Sequence, residues 1–161
     1  MRFFRSLHRV AAAQPGEAAA LARLYAAAWA GCEVELDPRL LRDQVPGEEE
    51  IRAWFAGGFE IYRTVRDGVP DGAVRLSFPS GTCHIDHLVV HPAMRRQGRG
   101  RSLLEHAAGR ARRTGATRIW TQVTPRLEES VAFFRNFGFR TASDHLAPYW
   151  GEHVLLLEMP I

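Results

Sequence analysis

The feature that most constrains this chain is a strand that ends on a proline, followed by two glycines one residue apart among arginines, followed by a helix. Residues 82–92 read Thr-Cys-His-Ile-Asp-His-Leu-Val-Val-His-Pro. Ile85, Leu88, Val89 and Val90 favour a strand, and Pro92, with no backbone N–H, closes it. Leu103, Leu104, Ala107, Ala108 and Ala111 recur at helical spacing. Between them runs Arg95-Arg96-Gln97-Gly98-Arg99-Gly100-Arg101. Without a Cβ at 98 and 100, successive backbone N–H groups can converge on one anion, and the helix start adds its unpaired N–H groups and the positive end of its dipole. A diphosphate is the ligand that suits such a loop. A P-loop is excluded because no lysine follows the second glycine, and a dinucleotide fingerprint because its third glycine falls on Leu103.

The spacing Arg95-x-x-Gly98-x-Gly100, after a Leu88-x-Val90-x-Pro92 strand, resembles the signature loop of the GNAT superfamily of N-acetyltransferases. Residues 130–139, Ser-Val-Ala-Phe-Phe-Arg-Asn-Phe-Gly-Phe, resemble the family's closing Ala-x-x-x-Tyr-x-x-x-Gly-Phe element. The resemblance implies an α/β fold with a central, mostly antiparallel sheet, helices on both faces, and a parallel pair at 82–91 and 117–124 that splays apart. It implies acetyl-CoA as cofactor, with its diphosphate on Arg95, Arg96, Gln97, Gly98, Arg99, Gly100 and Arg101. The pantetheine would run along Leu88, Val89 and Val90 and pack on Phe134, with the thioester in the gap between the strands.

At 161 residues the chain makes a single domain spanning residues 1–161. Arg5, His8 and Arg9 interrupt any apolar run at the start, so neither a signal peptide nor a membrane span is expected, and a cytoplasmic location follows. Two cysteines, Cys32 and Cys83, make no disulfide framework. The net charge of +3 invites a nucleic-acid reading, yet all 21 basic residues are arginine. Such a skew, with abundant alanine, reflects GC-rich codon usage, and no aromatic-basic reader motif accompanies it, so no nucleic-acid partner and no membrane partner is expected. A monomer or homodimer is expected.

Elsewhere the pattern predicts a loose strand over 3–10, helices over 16–30, 39–44 and 48–56, a hairpin of strands 59–66 and 73–78 around a turn at 67–72, and the helix after the glycine loop to about 114. Strand 117–124, helix 126–137, strand 139–145, an aromatic loop at 147–151 and a closing strand 153–159 complete the order. No internal repeat appears.

Acyl transfer to an amine needs the amine neutral. With a pKa near ~10.4, about one amine in 10³ to 10⁴ is neutral at pH 7, worth roughly 4–5 kcal/mol of barrier, so a base is expected. His84 and Asp86, two apart on the strand, share a face and are the candidate catalytic pair. The plainer reading makes both of them hydrogen-bonding strand residues. His87 is expected on the opposite face in a structural role. A metallohydrolase reading of His84-x-Asp86-His87 lacks its first histidine, at Thr82, so no metal is expected. Cys83 has no base at suitable spacing and reads as strand filler.

Two positions depart from the family pattern. The tyrosine often placed to protonate the leaving thiolate is Phe134, and an asparagine near the helix start is Leu127. Either the thiolate leaves unaided, or Tyr149 or His145 substitutes, or the chain is a catalytically silent acyl-CoA-binding module. Acceptor recognition, as the resemblance implies, draws on Tyr25, Trp29, Trp54, Tyr149 and Trp150, each of which also reads as core. The acceptor is a small-molecule or peptide amine.

Overall fold

The computed structural model describes residues 8–161. The expected strand over 3–10 lies outside the described residues at 3–7. Its described remainder is not a strand, and the first one is the two-residue β1, Ala11–Ala12. There follow α1 (Ala18–Ala30), α2 (Pro38–Gln44), α3 (Glu48–Ala56), β2 (Glu60–Arg66), β3 (Val69–Ser77) and β4 (Cys83–Val90). The rest are α4 (Arg99–Arg113), β5 (Arg118–Val123), α5 (Glu128–Phe137), β6 (Arg140–Ser143) and β7 (Leu155–Pro160). The seven strands form one sheet in the order β1-β2-β3-β4-β5-β7-β6. All pairs are antiparallel except β4 with β5, so the mixed α/β reading holds.

Helices cover both faces because each carries one apolar stripe. On one face α1 buries Ala18, Leu21, Leu24, Tyr25 and Ala28 against Ile61, Ala73 and Val89, with Ile51 of α3. On the other, Leu103, Leu104, Ala107 and Ala111 of α4 and Val131 and Phe134 of α5 pack on Val74, Leu76, Ile85, Ile119 and Leu157. Among the described residues no helix is long and apolar enough to cross a membrane.

Helices α2 and α3 begin and end close to where the sequence placed them. Asp37 caps α2 by accepting from the Arg39 backbone N–H at 2.9 Å, and Pro38 opens its first turn. Three glutamates occupy the first turn of α3, complementing its positive end. The β2–β3 turn is tighter than expected. Arg66 pairs directly with Val69, leaving Asp67 and Gly68 as a two-residue loop with φ of +51° and +77°. Such a loop matches the twist of the two strands, so Val69-Pro70-Asp71-Gly72 is strand and not turn.

Gly72 of β3 sits beneath Leu103 of α4. A Cβ there would lie 2.8 Å from Thr64 Oγ1 and 3.2 Å from Leu103 Cδ1. Thr64 cannot yield cheaply, since it is buried and donates to Asp71 at 2.6 Å. Gly72→Ala is therefore expected to lower stability by about 2 kcal/mol, read as a shifted denaturant midpoint with an unchanged slope.

Candidate active site

Strands β4 and β5 are paired at Cys83 with Ile119 and His84 with Trp120, and at no further position. Beyond that fork they diverge, and a cleft of about 120 Å³ opens between them. Its walls come from β4, the end of β5, α2 through Leu40 and Gln44, α5 through Ser130 and Phe134, and Tyr149 from the loop before β7. A sheet that splits in its middle leaves strand-edge backbone and inward side chains facing one slot.

His84 stands at the fork. Its ring stacks on Trp120, its cross-strand partner, with centroids 4.1 Å apart and planes at 19°. Trp120 is itself anchored, its Nε1–H donating to Thr82 Oγ1 at 2.9 Å. Burial lowers the His84 imidazole below its ordinary pKa, against a smaller opposing pull from Asp86. The ring is thus held neutral and in one orientation.

Asp86 is differently occupied. Its cross-strand partner Arg75 grips both oxygens, Nε at 2.7 Å from Oδ1, while Arg75 lies over the rings of Phe59 and Trp54 at 4.1 and 4.4 Å. Burial favours the neutral acid, yet the Arg75 guanidinium together with His87, whose Nδ1 lies 3.3 Å from Oδ1, outweighs it and keeps the carboxyl well below the usual carboxylate range. The expected pair of bases therefore resolves into one neutral imidazole and one neutralised carboxylate.

His87 is not on the face opposite Asp86. Ala73 pairs with Val89 and Arg75 with Asp86, so Val74 alone opposes both His87 and Leu88. This bulge puts His87 at φ +46°, and its ring joins Asp86 on the α1–α3 side, 4.7 Å from Trp54. There it is clamped: Nε2–H donates to the Asp43 carbonyl at 2.8 Å, and the Tyr25 hydroxyl donates to the His87 carbonyl at 2.8 Å. After the bulge Val89 points into the α1 core, while Leu88 lines the cleft and Val90 lies beside Gly100, 3.8 Å from where a Cβ would stand.

The glycine loop follows directly. His91 Nδ1 accepts from the Ala93 N–H at 3.1 Å and starts a short 3₁₀ turn over Pro92–Met94. Arg96 and Gly98 take φ of +59° and +84°, and Gly98 precedes α4 with no capping side chain. Since the first bond back to Gly98 comes from Ser102, at 3.0 Å, the N–H groups of Arg99, Gly100 and Arg101 have no partner within the helix. Gly100 is needed for packing as well: a Cβ there would meet the Phe133 ring at 3.1 and 3.3 Å. These open N–H groups at a helix start fit a diphosphate.

Two of the four arginines expected to face the anion do not. Arg95 donates from Nε to the Val90 carbonyl at 3.2 Å and from Nη2 to the Ala28 carbonyl at 2.9 Å, tying the loop to α1. Arg99 is buried on Asp71 at 2.6 Å and reaches Gln97 Oε1 at 3.2 Å. Each supplies the loop's shape through bonds to distant backbone or carboxylate. Arg96 and Arg101 remain exposed, with looser partners in Glu129 and Glu105.

The expected acceptor residues separate in the same way. Tyr25 is fully buried, its hydroxyl spent on His87 and its pKa pushed up by burial, so it belongs to the core. Trp54 packs edge-on against Tyr25 and His87. Trp29 and Tyr149 line the cleft, and Trp150, 48% exposed, stands outside it. His145 is exposed on its loop beside Asp144 and does not reach the cleft. Cys83 is buried with its thiol pushed up to about 12, which rules it out as a nucleophile at neutral pH. Phe134 is buried and walls the cleft, offering no proton. Sequence reading gave no role to Asp43, which accepts from the Tyr149 hydroxyl at 2.9 Å. Its partner is 106 residues away, and no local pattern signals it.

The splayed pair and the glycine loop find their counterpart in a family model: residues 12–139 match that of the acetyltransferase (GNAT) family. The chain belongs to the GNAT acetyltransferase family. Streptothricin acetyltransferase of Streptomyces lavendulae is 29% identical over 140 residues, 80% of this chain and 74% of that one. Among solved structures, this GNAT chain is similar to yncA of Salmonella typhimurium, solved with acetyl-CoA, at a TM-score of 0.75 and 18% identity, covering 96% and 94% of the two chains. It is similar also to PaiA N-acetyltransferase of Thermoplasma acidophilum, solved with coenzyme A, at 0.80 and 13% identity, covering 95% and 98%.

Proposed function

We propose that this GNAT chain transfers the acetyl group of acetyl-CoA directly to a primary amine, with His84 as the proton acceptor. The observation that carries this reading is the neutral imidazole at the fork of β4 and β5, stacked on Trp120 and lining the cleft into which the strand edge leads. Acetyl-CoA supplies the activated acyl group as a thioester. The backbone N–H groups of Arg99, Gly100 and Arg101 bind its diphosphate, with Arg96 and Arg101 adding charge at the rim. The edge of β4 at Leu88–Val90 aligns the arm, and Phe134 keeps water from one wall. The likeness to the streptothricin acetyltransferase of Streptomyces lavendulae supports a small amine-bearing molecule as acceptor.

His84 is available to take the ammonium proton because burial lowers its pKa and leaves the imidazole unprotonated at neutral pH. Asp86, already neutralised by Arg75, does not compete for it. With a thiol pKa near ~8.5, the departing sulfur is a good enough leaving group that Phe134 need not be a tyrosine.

The decisive experiment follows thiol release from acetyl-CoA across a panel of amines, with His84→Gln alongside the native chain. The native pH profile is expected to fall on its acid side below the ordinary imidazole pKa, as protonation removes the acceptor. His84→Gln should lower kcat by about 10²-fold, the scale of general base catalysis, and abolish that acid limb. Full turnover by His84→Gln would remove the assignment.

A further inference from the structure

Asp86 lines the cleft, Asp43 is bonded to Tyr149 of its wall, and Glu152, bridged to Tyr149, accepts from the Asp37 backbone N–H; of these four carboxylates three are neutralised. Asp37 pairs with Arg39 at 2.8 Å, Asp86 with Arg75, and Glu152 with Arg126 at 3.1 Å. Asp43 is the exception. Among the described residues no guanidinium lies within 4.0 Å of it, in a chain with 21 arginines. Its Oδ2 accepts from two neutral donors, the Tyr149 hydroxyl at 2.9 Å and Gln44 Nε2 at 3.0 Å. A half-buried carboxylate held by neutral groups loses hydration without gaining a counter-charge, unless a ligand brings one.

Tyr149 shows where the charge would be met. It lines the cleft, and burial and the Asp43 bond push its pKa up to about 12, so it stays a phenol. Since its hydrogen is given to Asp43, its lone pairs are left to accept, and the carboxylate behind makes them more negative.

Resting on the transferase reading, we propose that the acceptor is a diamine. One amine is acetylated at His84, and the second, as ammonium, sits on the Tyr149 oxygen with Asp43 behind it. Tyr149 is the residue that touches the ammonium, and Asp43 acts through it.

The test compares L-lysinamide with 6-aminohexanamide, which differ by one ammonium group, at pH 7. The native chain is expected to prefer lysinamide in kcat/KM by about 10- to 100-fold, the scale of one charge-assisted hydrogen bond. In Asp43→Asn that preference should collapse toward unity, with the loss in the KM for lysinamide. Tyr149→Phe, which keeps the packing but removes the oxygen that touches the ammonium, should lower the preference at least as far. Calorimetry of lysinamide binding to the coenzyme A-saturated protein reads the site without turnover. Binding that depends on Asp43 with no acetylation of either amine would keep the cation site and remove the transferase reading. Equal use of the two amines, an unchanged preference in Asp43→Asn, or lysinamide binding that ignores Asp43 would each overturn the proposal.

Discussion

Gly98→Glu is expected to weaken coenzyme A binding by about 10²- to 10³-fold, measured by titration calorimetry. The loss has two physical parts. Gly98 holds φ at +84°, where a residue with a Cβ is strained by roughly 1–2 kcal/mol, so the start of α4 is pushed out of register. The new carboxylate would also sit where a capping side chain belongs and accept from the same N–H groups that are open in the native loop. It both occupies the anion cradle and repels a diphosphate, at a further cost of about 2 kcal/mol. Together these come to about 3–4 kcal/mol, or two to three powers of ten in affinity. Gly98→Ala isolates the backbone part and should cost about five- to tenfold. Gly98 is a cleaner probe than Gly100, whose Cβ would strike the Phe133 ring and disturb the α4–α5 packing. Native affinity in Gly98→Glu would show that the anion binds elsewhere.

How much of this was legible in the sequence depends on the range of the interaction. The glycine loop is local, since strand, turn and helix start lie within 20 consecutive residues, and proline, glycine and apolar spacing each mark their own boundary. The same holds for α3, whose bounds match the expectation. What was not legible is non-local. The side chains of Arg95 and Arg99 are taken up by the Ala28 carbonyl and Asp71, 67 and 28 residues away, which no local pattern marks. Tyr25 read as an acceptor contact, whereas its hydroxyl is spent on a carbonyl 62 residues away. The face of His87 was misjudged for another reason. Strand alternation assumes a regular ladder, and a bulge at a non-glycine residue with φ of +46° breaks the alternation without leaving a mark in the sequence.

Asp86→Ala separates a structural carboxylate from a catalytic one, and a stability loss of about 3–5 kcal/mol is expected. The Asp86 and Arg75 side chains are 21% and 13% exposed, and Arg75 lies between the rings of Phe59 and Trp54. Removing the carboxylate leaves that guanidinium with aromatic faces and little water, and an unpaired buried charge costs far more than the intact pair contributes. For a domain of this size the melting temperature should fall by roughly 10 °C. Replacing both partners with apolar residues, Arg75→Met with Asp86→Leu, should recover most of the loss, because neither charge is then stranded. The acid limb of stability should change too. The folded pKa of Asp86 is depressed below its ordinary value of 3.8, so its stabilisation is full above that value and is lost as pH falls through and below it. Asp86→Ala should therefore melt with a flatter pH dependence below about pH 4. If it instead melted like the native chain while turnover collapsed, Asp86 would be the base and His84 its support.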